Sequence, residues 1–170
     1  MAFQTASDET ITRLITDPSF VNTWLEGEWS ASELAGEPAS HIPPADIGKV
    51  WHATHFALFG SPDRGHDPRA FILSGGTVIE DTDLGPGPAR VFRASEVASI
   101  AQVLTAVTPA RFVADFDLMA FAKVQAKVYP CRWDPVEPEL VVELLPEYNL
   151  LREFVLATAK KNLGMLAILS

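Results

Sequence analysis

His52 and His55, one helical turn apart and beside Trp51, are the densest group of chemistry-capable side chains in the sequence. Residues at i and i+3 share a side of a helix, so the two imidazoles could offer nitrogens to one metal ion. Further ligands would have to come from His41, His66 or Asp67. A short histidine pair without a second pair at fixed spacing is ordinarily incidental, so neither a metal nor another cofactor is expected. His52 points away from the main apolar stripe of its segment and is expected in solvent. His55 lies at the stripe's edge, where an imidazole can serve as general acid or base near neutral pH. The plainer reading of His55 is a packed ring with one nitrogen on a backbone carbonyl. Trp51 could wall a pocket, and its indole N–H needs an acceptor.

A second candidate is Arg90, which closes the run Gly85-Pro-Gly-Pro-Ala-Arg90. Glycines let backbone amides approach a ligand, and a guanidinium can hold a carboxylate or phosphate with two parallel bonds. The run lacks the lysine of a phosphate-binding loop and the glycine spacing of a dinucleotide fingerprint. The alternative is a rigid turn with Arg90 paired to Glu80, Asp81 or Asp83. Cys131, between Pro130 and Arg132, is the single cysteine; an adjacent arginine can activate a thiol, but no cysteine-protease signature surrounds it. No serine sits in a Gly-x-Ser-x-Gly elbow. Trp51, His55, Arg90 and Tyr129 together make the candidate pocket.

The elements that must position these residues can be read from periodicity and breakers. Ile47, Val50, Trp51, Thr54 and Leu58 recur with helical spacing, with Asp46 as N-cap and Gly60 and Pro62 as the stop. Phe56 faces away from that stripe, so this helix is expected to have protein on two sides and to be central. Further helices are expected over 8–16 after Ser7, from Asp17-Pro18 through Leu25, over 96–106 after Ser95, from Thr108-Pro109 to Asp115, and over 118–125. A helix starting at Glu137 is broken by Pro146 and followed by a longer one over 147–161. Residues 30–45 and 61–69 read as loops. Met165 to Leu169 is continuously apolar, the pattern of a strand covered on both faces. Its backbone needs strand partners, for which 71–73, 90–93 and 127–129 are the candidates.

The segment Asp46-Ile47, Lys49, Trp51, His55-Phe56, Leu58 and Gly60 resembles the motif of the YfbM-like family, small bacterial proteins of unknown function. The likeness continues through Gly87-Pro-Ala-Arg90, the 97–104 helix, Tyr129-Pro130 and the last helix and strand. The first 40 or so residues diverge: the family's opening strand has a Met-Ile-Gly character, and this chain begins Met1-Ala-Phe-Gln-Thr. The resemblance implies an α+β fold and no catalytic residues. The expected architecture is therefore a single compact domain spanning residues 1–170, helix-dominated, with a small mixed sheet that includes the C-terminal apolar strand.

Composition fits one globular domain: 170 residues, 48% hydrophobic and 21% charged. The net charge of −9 disfavours nucleic acid and anionic membranes, which need clustered Lys and Arg. Residues 1–9 have no basic start or apolar core of a signal peptide, and no apolar run is long enough to span a bilayer. With one cysteine and no such segment, a cytoplasmic location is expected. Two functions remain open. One is a non-catalytic binding protein for a basic protein partner, with neutralisation of that partner as a concrete form. The other is an enzyme using His55 as acid/base and Arg90 as anchor for a small anionic ligand, with Trp51 and Tyr129 as walls.

Overall fold

The computed structural model describes residues 1–26, 42–80, 87–130, 133 and 136–169. Five strands form one sheet in the order β2-β1-β5-β4-β3, with β1 at Ala2–Ala6, β2 at Ala45–Asp46, β3 at Thr77–Ile79, β4 at Ala89–Phe92 and β5 at Gly164–Ile168. All pairings are antiparallel, where the sequence pattern suggested a mixed sheet. Strands β1 and β4 run one way, and β2, β3 and β5 run the other. The fold class is α+β.

The strand β5 occupies the centre of the sheet and is buried at every residue. Its side chains alternate between two cores, as a period of two requires. Leu166 and Ile168, with Ala89 and Val91 of β4, face a smaller core. That core is completed by Ile11 and Leu14 of α1 (Asp8–Thr16) and by Phe20, Val21 and Trp24 of α2 (Phe20–Glu26). Met165, Ala167 and Phe92 face the larger core with Phe3. It is roofed by α3 (Trp51–Phe59), α4 (Ala94–Ala106) and α8 (Leu145–Lys160). Helices α5 (Pro109–Ala114), α6 (Leu118–Val124) and α7 (Leu140–Glu143) close its far side. Among the described residues no helix is long and apolar enough to cross a membrane.

The opening strand is the main element that the sequence pattern missed. Phe3 and Thr5 alternate with Gln4 and Ala6, and five residues of such mild alternation carry little signal alone. Pairing with β5 in a register of Ala2 to Ile168 through Ala6 to Gly164 makes the strand. Residues 71–73 and 127–129 are not strands: the first is a turn, and the second begins with the last residue of a 3-10 turn at Gln125–Lys127. The strand before β4 is instead Thr77–Ile79.

Helix α3 also differs in its start. A 3-10 turn at Gly48–Val50 precedes it, and Asp46 accepts the Gly48 amide at 2.8 Å from the end of β2. Asp46 thus satisfies a free amide, as an N-cap would, but on the turn rather than on the helix. Gly60 ends α3 at φ +81° with its N–H on the Phe56 carbonyl at 2.7 Å, a left-handed stop. Ala53, Thr54, His55, Phe56 and Leu58 are all buried, so the helix is interior. Phe56 meets Phe121 edge-on at 5.1 Å, which is the second protein side expected for it. Helix α4 begins at Ala94 rather than after Ser95; Glu96 reaches back to the Arg93 amide at 2.9 Å and Asp8 of α1 accepts the Ala94 amide at 3.1 Å.

The sheet's tightest point is Gly164 at the start of β5, where an added methyl would overlap the Phe92 carbonyl and Ile11 Cδ1. The carbonyl belongs to the paired strand and cannot move without breaking the ladder. Gly164→Ala is expected to cost roughly 3 kcal/mol, at the upper end of overpacking penalties. Urea denaturation midpoints of the two proteins measure it.

Candidate functional site

The structure divides the four residues that the sequence grouped as a pocket. Trp51 and Tyr129 come together, stacked at 5.7 Å with 18° between ring planes. Trp51 also stacks on His52 at 4.8 Å and 1°. His52 is half-buried, not solvated: its Nε2 donates to the Pro62 carbonyl at 2.8 Å and its Nδ1 accepts the Tyr129 amide at 3.0 Å. That pattern requires a neutral ring with the proton on Nε2. Both nitrogens are spent tying the loop after α3 and the 129 segment to the helix. Among the described residues no cluster of three or more His, Cys, Asp or Glu could hold a metal ion. His41 and Cys131 lie outside the described residues.

His55, one turn further along, is fully buried. Its Nε2 donates to the Asp63 carbonyl at 3.0 Å, and its Nδ1 has no partner among the described residues. Burial pushes its pKa down to about 4; the Asp63 carbonyl opposes that, and the charge of Arg90 adds to it. The ring is therefore neutral at pH 7 and closed to solvent.

Arg90 sits on β4, on the face shared with Phe92, over whose ring its guanidinium carbon lies at 5.4 Å. It is only 7% exposed. Nη1 donates to the carbonyls of Phe71 at 3.1 Å, Ser74 at 2.7 Å and Gly75 at 3.2 Å, and Nη2 to that of Ile72 at 2.6 Å. One guanidinium thus gathers the carbonyls of a whole turn, which Gly75 and Gly76 make possible by adopting φ of +77° and +68°. No described carboxylate pairs with it: Glu80 is exposed and makes no such contact, and Asp81 and Asp83 lie outside the described residues. Burial and the charge of Arg64 lower its pKa to about 10, which leaves it fully charged at pH 7.

Arg90 lines an open cleft of about 400 Å³ with Arg64, His66 and the Gly75-Gly76 turn, walled by Leu73, Val78 and Leu169. A second hollow of about 240 Å³ lies beside it and shares Gly65, His66 and the 74–76 turn. None of Trp51, His55 and Tyr129 lines either hollow. Arg64 and the glycine turn escaped the sequence reading, which weighed His66 only as a further metal ligand. The usable signal was the pairing of that turn with a downstream arginine on an apolar strand.

A family model described as "Domain of unknown function (DUF1877)" matches residues 1–168. The chain belongs to this family. Among solved structures it is similar to the protein of unknown function YfbM from Escherichia coli, at 19% identity and a TM-score of 0.63, covering 97% of this chain and 96% of that one. At that identity the likeness shows the fold. No curated protein matches the chain.

Two measurements follow from this geometry. A histidine whose folded pKa lies below its unfolded value contributes stability that is complete above about pH 6.5 and is lost as pH falls towards about 4. Relative to His55→Gln, which keeps a donor near the Asp63 carbonyl but cannot titrate, the native protein should lose about 3 kcal/mol more between pH 7 and pH 4. Urea midpoints of both proteins at the two pH values test this, carboxylate effects being common to both. Arg90→Ala should cost roughly 3 kcal/mol by stranding buried carbonyls, and Arg90→Lys should not restore it, because an ammonium cannot span the arc of acceptors. Thermal denaturation of the two variants is the check.

Proposed function

We propose that this protein is a non-catalytic cytoplasmic binding protein of bacterial type, whose ligand is a small organic anion held in the cleft beside Arg90 and Arg64. The observation that carries the reading is a buried guanidinium with no described counter-ion, facing an open cleft in a protein of net charge −9. Its Nη groups are turned to carbonyls, and its Nε–H has no acceptor among the described residues. Carbonyl dipoles satisfy the donors but leave the unit charge uncompensated, and Arg64 adds a second like charge rather than relieving the first. An anion in the cleft would complete both. The walls of Leu73, Val78 and Leu169 favour a carboxylate or phosphate on an apolar body over an inorganic ion.

The seclusion of His55 from the cleft supports binding over the His55 acid/base reading. His55 is neutral, closed to solvent and away from the cleft, so the acid/base role would demand a rearrangement of the α3 packing. Recognition of a basic protein, the other form of binding, draws on net charge alone. Placement in the cytoplasm rests on the single cysteine of the sequence.

Arg64 makes the test clean. It is exposed and makes no described hydrogen bond, so Arg64→Ala should leave the melting temperature of the free protein unchanged. Calorimetric titration with short-chain carboxylates and organic phosphates should detect binding to the native protein and an affinity roughly tenfold lower in Arg64→Ala, as loss of one charge-assisted contact implies. Equal affinities in the two proteins, or no binding by the native one, would refute the proposal.

A further inference from the structure

The two hollows beside the Gly75-Gly76 turn carry opposite charge. Among the described residues, the larger one holds Arg64 and Arg90 and no carboxylate. The smaller one holds Asp67 and Glu96 and, among the described residues, no Lys or Arg. They share Gly65, His66 and the 74–76 turn, and they are joined along the sheet because Arg90 and Phe92, two apart on β4, point to the same face. Gly65 is fastened across this junction by its amide, which donates to Ser74 Oγ at 3.0 Å. Its narrowness is enforced by packing, since a methyl at Gly65 would run into the Phe59 ring.

The acidic end is not equally available at both carboxylates. Asp67 is spent: Arg69 takes both its oxygens, from Nε at 2.9 Å and Nη2 at 3.0 Å, and the Arg69 amide adds a third bond at 2.8 Å. Glu96 is half-buried and held in place by one oxygen, Oε2, on the Arg93 amide. Its Oε1 is engaged by no described residue. Ser99, one turn on and on the same wall, donates to the Ser95 carbonyl at 3.1 Å and so presents its oxygen as an acceptor. A fixed carboxylate with a free oxygen, beside a hydroxyl oxygen in the same lining, matches an ammonium group in charge and in acceptors.

We infer that the groove takes a zwitterion, an organic acid carrying an amino group, with its carboxylate or phosphate at Arg64 and Arg90 and its ammonium at Glu96. This rests on the anion site proposed above and adds the second charge to it. His66, exposed and lining both hollows, is placed to contact the middle of such a ligand. Simple fatty carboxylates would leave Glu96 facing an apolar chain end, and simple amines would leave the two arginines facing each other, so both are selected against.

Two matched trios of ligands test it by calorimetric titration of the native protein: γ-aminobutyrate, butyrate and butylamine, and ε-aminocaproate, caproate and hexylamine. In at least one trio the amino acid should bind roughly tenfold or more tightly than the carboxylate, with the amine weaker still. Glu96→Gln should abolish that preference while leaving carboxylate affinity within about twofold, since Gln keeps the acceptor for the Arg93 amide. Should the plain carboxylates bind as well as their amino partners in both trios, the zwitterion is wrong and the anion site stands. Should neither class bind, both fall. A preference for the amino acids that survives in Glu96→Gln would place the ammonium elsewhere and overturn the assignment.

Discussion

A central strand buried on both faces is the constraint from which the rest of this structure follows. Every residue of β5 is enclosed, so its amides and carbonyls must be satisfied by strands on either side and its side chains by helices above and below. Gly164 sets how closely the helix α1 and the neighbouring strand can approach. With β4 fixed beside β5, period-two alternation decides which side chains enter which core. Ala89 and Val91 go to the smaller core with α1 and α2, and Arg90 and Phe92 go to the larger. A charged residue thus arrives on a buried face by register alone. The turn at 71–75 is the answer to that placement, since its carbonyls supply the acceptors that a buried guanidinium requires.

Much of this frame was legible in the sequence, and the exceptions share a cause. The apolar run at 165–169, the helical stripe before Gly60 and the long helix ending at Lys160 are strong periodic signals, and all appear close to where the pattern puts them. Elements whose identity depends on a partner far along the chain were not legible. Residues 2–6 become a strand because β5 is there to pair with them. Residues 77–79 become one because β4 is. Residues 71–73, apolar and closely followed by two glycines, look like a strand locally but are bent into a turn around Arg90. Sequence periodicity records what a segment buries, not which group elsewhere it must hydrogen-bond.

The same limit explains the candidate site. Trp51, His55, Arg90 and Tyr129 are individually the residue types that pockets use, and the sequence offers no way to see that they face different neighbours. The structure spends His52, Trp51 and Tyr129 on a stacked cluster that fastens the segment around 129 to α3. It sets Arg90 beside a cleft that the other three do not reach.

The electrostatics also make His55 and Arg90 poor collaborators in acid/base chemistry. A general base works best with a pKa near the working pH, because basicity and availability trade against each other. His55 is desolvated first and then pushed further in the same direction by the positive charge of Arg90, to a pKa of about 4. At neutral pH such an imidazole is always available but abstracts protons weakly, and it has no route to the cleft. Arg90 keeps its charge under the same burial because its intrinsic pKa leaves a wide margin, falling only to about 10. One fold therefore silences the titratable group and preserves the permanent one. A fixed charge of that kind can hold an anion in the cleft without any help from His55.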